Sequence, residues 1–132
     1  LLHAAERGWR LEVIKVVVES PFGRNVDGSP FTPAQYERNR RYLNRCLADS
    51  LHRGESPYAS HRFFPGILDD TNLEERKLGI EAGQEWGACA ELCAVYIDHG
   101  ETEGMSKSIR RYVDAGMAIE LRKIGAEPEV SP

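Results

Sequence analysis

The sequence predicts an α/β fold built on a small, mainly parallel sheet of about four strands. Three observations carry that expectation. The run "VIKVVVE" over 13–19 is continuously apolar or β-branched apart from its lysine and closing glutamate, and Pro21 and Gly23 follow it, as suits a strand buried on both faces. Strand-like and helix-like stretches then alternate as β-α-β-α-β-α-β, the pattern that gives parallel strands with right-handed crossovers. Finally, the first two helices begin at recognisable capping signals.

Residues 1–12 read as a lead-in, since Gly8 and Trp9 interrupt any pattern. After the first strand, Thr32-Pro33-Ala34-Gln35 is a capping box with proline at the first helical position. The helix it starts carries an apolar stripe of Tyr36, Leu43, Cys46 or Leu47, and Leu51, and Gly54 stops it. "PYASHRFF" (57–64) is the next strand candidate, and the loop "PGILDDTN" follows. Thr71 and Asn72 each have a glutamate three positions on, which starts a second helix. Its expected inward residues are Ile80, Trp86 and Ala90, with Gly79, Gly83 and Gly87 permitting close packing. "LCAVYI" (92–97) reads as a buried strand, a third helix runs from about Gly104 to Ala115, and "AIELRKI" (118–124) is the last strand. Residues 13–124 therefore form the domain, and 125–132 a flexible tail.

The 132 residues, 41% hydrophobic and 29% charged, suit one soluble globular domain. No apolar run is long enough to span a bilayer, and nothing at the start reads as a signal peptide. Cys46, Cys89 and Cys93 are odd in number and lack paired spacing, which points to a reducing cytoplasm and not to a disulfide framework. Charge is uneven. Arg38, Arg40, Arg41, Arg45, Arg53 and Arg62 cluster early, whereas 69–103 carries ten acids against Arg76 and Lys77. Such asymmetry either steers an anion or simply solvates two helix faces.

In a parallel sheet, ligands sit beyond the carboxyl ends of the strands where strand order reverses. Three loops are expected to meet there: 19–32, 60–71 and 98–105. The first is long for a strand-to-helix connection and offers Ser20, Gly23 and Gly28 ahead of a helix N-terminus. It is neither a Walker sequence nor the dinucleotide fingerprint. In the third loop, Asp98, Glu101 and Glu103 lie at or past a strand end. A carboxylate beside the anomeric carbon of a sugar can stabilise or trap oxocarbenium-like charge. Asp98 is the first candidate for that role, and Glu19, at the end of the first strand, is the second. Ser60 and His61 end the short second strand, and His61 could act as a general acid or hydrogen-bond donor. Neither a four-ligand metal pattern nor a nucleic-acid motif is present, since Cys89 and Cys93 stand alone and the arginines lack interleaved aromatics. No metal, cofactor, nucleic acid or membrane is expected as a partner.

The order "ESPFG", "NRRYLNRCLADSLHRGESPYASH", "LDD", "EERKLGIEAGQEW", "VYIDHGETEGMSKSI" and "DAGMAIELR" resembles small proteins of the nucleoside 2-deoxyribosyltransferase-like superfamily, in an uncharacterised phage and actinobacterial branch. The resemblance spans about 13–124. It implies a three-layer flavodoxin- or Rossmann-like fold, a nucleoside or nucleotide in the crevice, and assembly as a homodimer or larger homo-oligomer. Enzymes of the superfamily cleave or transfer at the N-glycosidic bond. Their Pro-aromatic pair near the sugar corresponds to Pro21 and Phe22, and Glu19, Ser20, Gly23, Ser60, His61, Gly104 and Met105 are the further residues expected to contact a ligand. Their catalytic glutamate, four residues after the glycine matched by Gly104, falls on Ser108. The acid that contacts the base falls near Thr102, and the acid that orients the sugar falls near Glu81. The resemblance thus implies a nucleotide-binding crevice without the usual nucleophile; the alternative is an active glycosidase or transferase using a displaced carboxylate, Asp98 or Glu103. If phage-encoded, the chain would work in the host cytoplasm.

Overall fold

A computed structural model describes residues 13–22, 29–69 and 71–129. The expected lead-in, Gly23, Gly28 and the last three residues lie outside that description. Within it, four strands form an all-parallel sheet, β1 Lys15–Glu19, β2 Ser56–Tyr58, β3 Leu92–Tyr96 and β4 Ala118–Arg122, in the order β2-β1-β3-β4. Helices α1 Pro33–His52, α2 Ser60–Phe63, α3 Leu73–Gly87 and α4 Glu103–Asp114 connect them, with a short 3-10 turn at Phe64–Gly66. This is the α/β architecture that the alternation predicts.

Strand alternation divides the core into two halves. Val16 and Val18, with Ala94 and Tyr96, pack on Tyr42, Leu43 and Cys46 of α1. Val17, Cys93 and Val95 pack on Met105 and Tyr112 of α4. The α3 helix shares that second face, because a side chain at Gly87 would collide with Tyr112 and press on Val17. Hence β1 is covered on both sides, which is why its sequence is an unbroken valine run.

The helix starts follow their caps. Thr32 Oγ1 accepts from Gln35 N at 3.1 Å, while Gln35 Oε1 accepts from Thr32 N at 2.9 Å. Asn72 Oδ1, and not Thr71, caps α3 through Glu74 N and Glu75 N. Gly54, at φ 83°, takes up the left-handed backbone just past α1.

Three local expectations need correction. The buried stripe of α1 is Asn39, Tyr42, Leu43, Cys46 and Ser50, so Leu51 faces water. On α3 the inward positions are Gly83 and Gly87, while Ile80 and Trp86 are exposed. The helix lies too close to α2 and α4 for large side chains, since a Cβ at Gly83 would strike Ser60. The strand expected over 57–64 lasts only to Tyr58. As the edge strand it tolerates Pro57, and the following residues coil into α2 instead of extending the ladder.

The α1 face is knitted by polar contacts. Arg122 is buried and forks onto Glu55, with both nitrogen–oxygen distances at 2.7 Å, and it also donates to Tyr96 Oη at 3.1 Å. Those hydrogen bonds chiefly hold Glu55 below the ordinary carboxylate range. Its folded pKa is depressed, so this stabilisation is present above the unfolded value and is lost as pH falls through the folded one. Where the sequence suggests a frayed end, residues 124–127 are tied down. Asp98 accepts from Ile124 N and Gly125 N, Arg45 donates to the carbonyls of Gly125 and Ala126, and Arg41 pairs with Glu127 at 2.8 Å.

Replacing Arg122 strands the Glu55 carboxylate without its partner. Arg122→Met is expected to cost about 3 kcal/mol in urea unfolding, and the Glu55→Gln/Arg122→Met double variant to recover much of that loss.

Candidate functional site

The chain leaves β1 towards β2 on one side, then crosses back to β3 on the other. Strand order therefore reverses between β1 and β3, and an α/β sheet opens a crevice beyond that point. Here the crevice has a volume of about 760 Å³, within the range of small-molecule sites. The end of β1, α2, α3 and the first turns of α4 enclose it.

Glu19 forms part of its lining because strand parity puts it on the side of Val17, facing α4. There the Ser108 hydroxyl lies within hydrogen-bonding reach of the carboxyl. Removal from water dominates its ionisation and raises its pKa to about 8, with Ser108 opposing the shift. Glu19 is therefore largely uncharged at neutral pH. Ser20 is buried, and its Oγ lies 2.8 Å from His61 Nε2. Burial lowers the His61 pKa to about 4, so the ring is neutral and can accept the Ser20 proton at Nε2. Phe22 completes the wall, its ring 5.5 Å from His61 and 5.8 Å from Tyr36. A neutral acid, a neutral imidazole, three serines and an aromatic wall thus share one pocket.

Of the residues singled out by sequence, Glu19, Ser20, Phe22, Ser60, His61, Glu103, Gly104, Met105 and Ser108 line this crevice. Gly104 borders Phe22, where a Cβ would meet the Phe22 carbonyl at an ordinary contact distance of 3.9 Å. Met105 is almost fully buried and supports the α4 cap, where Thr102 N points at its sulfur. Pro21 is buried behind the wall, and Gly23 lies outside the described residues. Glu103 sits at the rim, exposed and paired with Lys107 at 3.1 Å. Glu81 pairs with Lys77 at 3.8 Å on the outer face of α3.

Asp98, the first sequence candidate for chemistry, takes a different role. Parity in β3 sends it to the α1 face, where Tyr42 Oη donates to it at 2.6 Å and two backbone amides of the 124–125 segment also donate. Burial pushes its pKa up, but these hydrogen bonds outweigh that and hold it below the ordinary range. His99 packs edge-on against Tyr42 on the same side, with ring centroids 4.2 Å apart. Sequence reasoning missed the α3 wall of the crevice, Arg76, Ile80 and Gln84. Their spacing of four marks one helix face, but nothing in the sequence says that this face meets a cavity. The early arginine cluster proves structural in the main: Arg40, Arg41 and Arg53 pair with Glu37, Glu127 and Asp49. Among the described residues no group of three His, Cys, Asp or Glu side chains is placed to hold a metal, and no helix is long and apolar enough to cross a membrane.

The family described as "Domain of unknown function (DUF7768)" matches residues 14–122, and the chain belongs to that family. Among curated proteins, none matches the chain. In fold it is similar to a solved 2-deoxyribosyltransferase from the psychrotolerant bacterium Bacillus psychrosaccharolyticus. The two share 16% identity with a TM-score of 0.58, over 88% of this chain and 77% of that one.

Because Glu19 binds its proton more tightly when folded, its contribution is full below the unfolded value of 4.5 and is lost as pH rises through about 8. Relative to Glu19→Gln, the unmodified protein is expected to lose roughly 2 kcal/mol between those limits, less than full linkage because water reaches the crevice. Urea titrations of both proteins across that range measure the difference.

Proposed function

We propose that this DUF7768 domain binds a nucleoside or nucleotide in the crevice beyond β1. One observation carries the reading: the crevice joins an aromatic wall, Phe22 and Tyr36, suited to a base, to a polar floor, Glu19, Ser20, His61 and Ser108, suited to sugar hydroxyls. The likeness of fold to a 2-deoxyribosyltransferase supports the same ligand class. We assign the chain to the uncharacterised phage and actinobacterial branch on the runs "CLADSLHRGESPYASH" and "LGIEAGQEW", which the resemblance marks as particular to it, and Ser108 stands where the resemblance expects the catalytic glutamate. Its setting on this reading is the cytoplasm, the host's if phage-encoded, in keeping with three free cysteines.

A second reading, cleavage of the N-glycosidic bond, is favoured by the contact of Glu19 with Ser108. That contact brings a carboxyl to the position the serine leaves empty of acid, so Glu19 takes over from Asp98 and Glu103 as the displaced carboxylate. Being protonated at neutral pH, Glu19 gives its proton to the departing base as the C1′–N bond breaks. Water then adds to C1′ and returns a proton to the carboxylate, leaving free base and free sugar. Self-association as a homodimer or larger assembly also belongs to the reading, through the exposed apolar side chains of Leu78 and Trp86, on the side of α3 away from the crevice.

A panel of nucleosides and their phosphates tests both readings by thermal shift and by assay of free base. Binding is expected to raise the stability by about 3 kcal/mol at ligand concentrations one hundred times Kd. Lack of any shift across the panel would refute binding. If base is released, Glu19→Gln is expected to slow release by about 10²-fold or more while ligand still binds, and the rate to fall above pH 8 as Glu19 ionises. Light scattering that gives the monomer mass at micromolar concentration would rule out self-association.

A further inference from the structure

The crevice does not end at α3. A shallow groove continues from it between α3 and α4, and Arg76, Ile80, Gln84 and Lys107 border both. The outer stretch adds Lys77, Arg111 and Glu81, so four cations line the groove with one carboxylate, and Glu103 stands beside it paired with Lys107. That concentration occurs in a chain whose net charge is -4.

Helix geometry makes the alignment. Arg76, Ile80 and Gln84 are successive steps of four along α3, and Lys107 and Arg111 are one such step along α4. Each helix therefore presents one row of side chains to the groove. A step of four also spans about 6 Å of helix axis, longer than one phosphate group.

The charges are available. Lys77 and Lys107 pair with Glu81 and Glu103, but both pairs are largely exposed and worth little against a multivalent anion. Among the described residues no carboxylate lies in ion-pair range of Arg76 or Arg111. Most arginines of α1 and its C-cap are different, since Arg40, Arg41 and Arg53 have acidic partners and Arg45 holds two carbonyls, Arg38 being the exception among the described residues.

We propose that this groove is an oligophosphate subsite, so that the ligand is a nucleoside carrying two or more phosphates. Its base and sugar lie in the crevice, and its phosphate chain runs outward past Arg76 and Lys107 to Arg111. The arginine guanidinium groups suit forked contacts to phosphate oxygens, and the lysines add charge. The inference rests on the nucleoside reading of the crevice, but the groove can be probed without a nucleoside.

Two probes keep the claims apart. The first is a series of one nucleoside and its mono-, di- and triphosphate, titrated by calorimetry at two salt concentrations. The diphosphate is expected to bind at least tenfold more tightly than the nucleoside and to weaken steeply with salt. In Lys77→Gln/Arg111→Gln, two residues that border the groove but not the crevice, most of that gain is expected to disappear, while affinity for the nucleoside stays within twofold. Equal affinity for nucleoside and diphosphate, or a gain untouched by the double variant, would overturn the proposal and leave the nucleoside reading standing. The second probe is inorganic tripolyphosphate alone. Should the whole nucleoside series fail to bind, the nucleoside reading falls; tripolyphosphate binding that the double variant abolishes would then support the groove, and its absence would overturn it. Arg38→Gln/Arg40→Gln on α1 serves as a charge-matched control and is expected to leave every affinity within twofold. A loss there equal to that of the groove variant would overturn the assignment to the groove.

Discussion

The alternation of side chains along β1 and β3 is the constraint on which the rest of the molecule depends. Both strands are central in the sheet and covered on both faces, so every residue must face either α1 or α4. On β1 the order Val16, Val17, Val18 leaves Glu19 on the α4 side. On β3 the order Ala94, Val95, Tyr96 carries on through Ile97, which packs on the α4 side, to Asp98 on the α1 side. Two carboxylates that close neighbouring parallel strands therefore have opposite fates. One lines a crevice with its proton held, and the other is ionised and clamped by amides.

That division of faces also divides the polar chemistry. On the α1 side most buried polar groups have partners, Arg122 with Glu55 and Tyr96, Tyr96 with Asp49, and Tyr42 with Asp98, while the Asn39 amide on α1 is buried without one among the described residues. Those mutually satisfied contacts fix the structure of that face. On the crevice side, Glu19 has lost water and gained only one hydroxyl, and His61 is held neutral by burial against Ser20. Groups held away from their usual charge state in a cleft support the ligand-binding reading proposed for the crevice. The small residues of α3 serve the same end, because Gly83 and Gly87 bring the helix against α2 and α4 and so narrow the crevice wall.

Much of the fold was legible in the sequence, and the reasons are local. The valine run, the Thr32 box and Gly54 each act within a few residues of themselves, so β1 and α1 could be read directly. The loops expected to converge do meet, because convergence follows from strand order. Sidedness was less accessible. Nothing within "YIDHGE" states which face of the sheet Asp98 will occupy, since that depends on α1 packing beneath it through Tyr42. For the same reason Ile80 and Trp86 read as core when the helix was considered alone. The real inward positions are glycines, which carry no hydrophobic signal at all. Ser108 was legible as a departure from the resemblance, but its contact with Glu19 joins residues from opposite ends of the chain.

The central claim is that the α4 side of the sheet, floored by Glu19, is where a ligand sits. Amide chemical-shift mapping by NMR during titration with a nucleotide tests it most directly. The account predicts shifts grouped at Ser20, Phe22, His61, Gln84, Gly104 and Ser108, with Asp98 and the 124–127 segment unmoved. Shifts centred on Tyr42, Asp98 and Gly125, with the crevice residues silent, would contradict it.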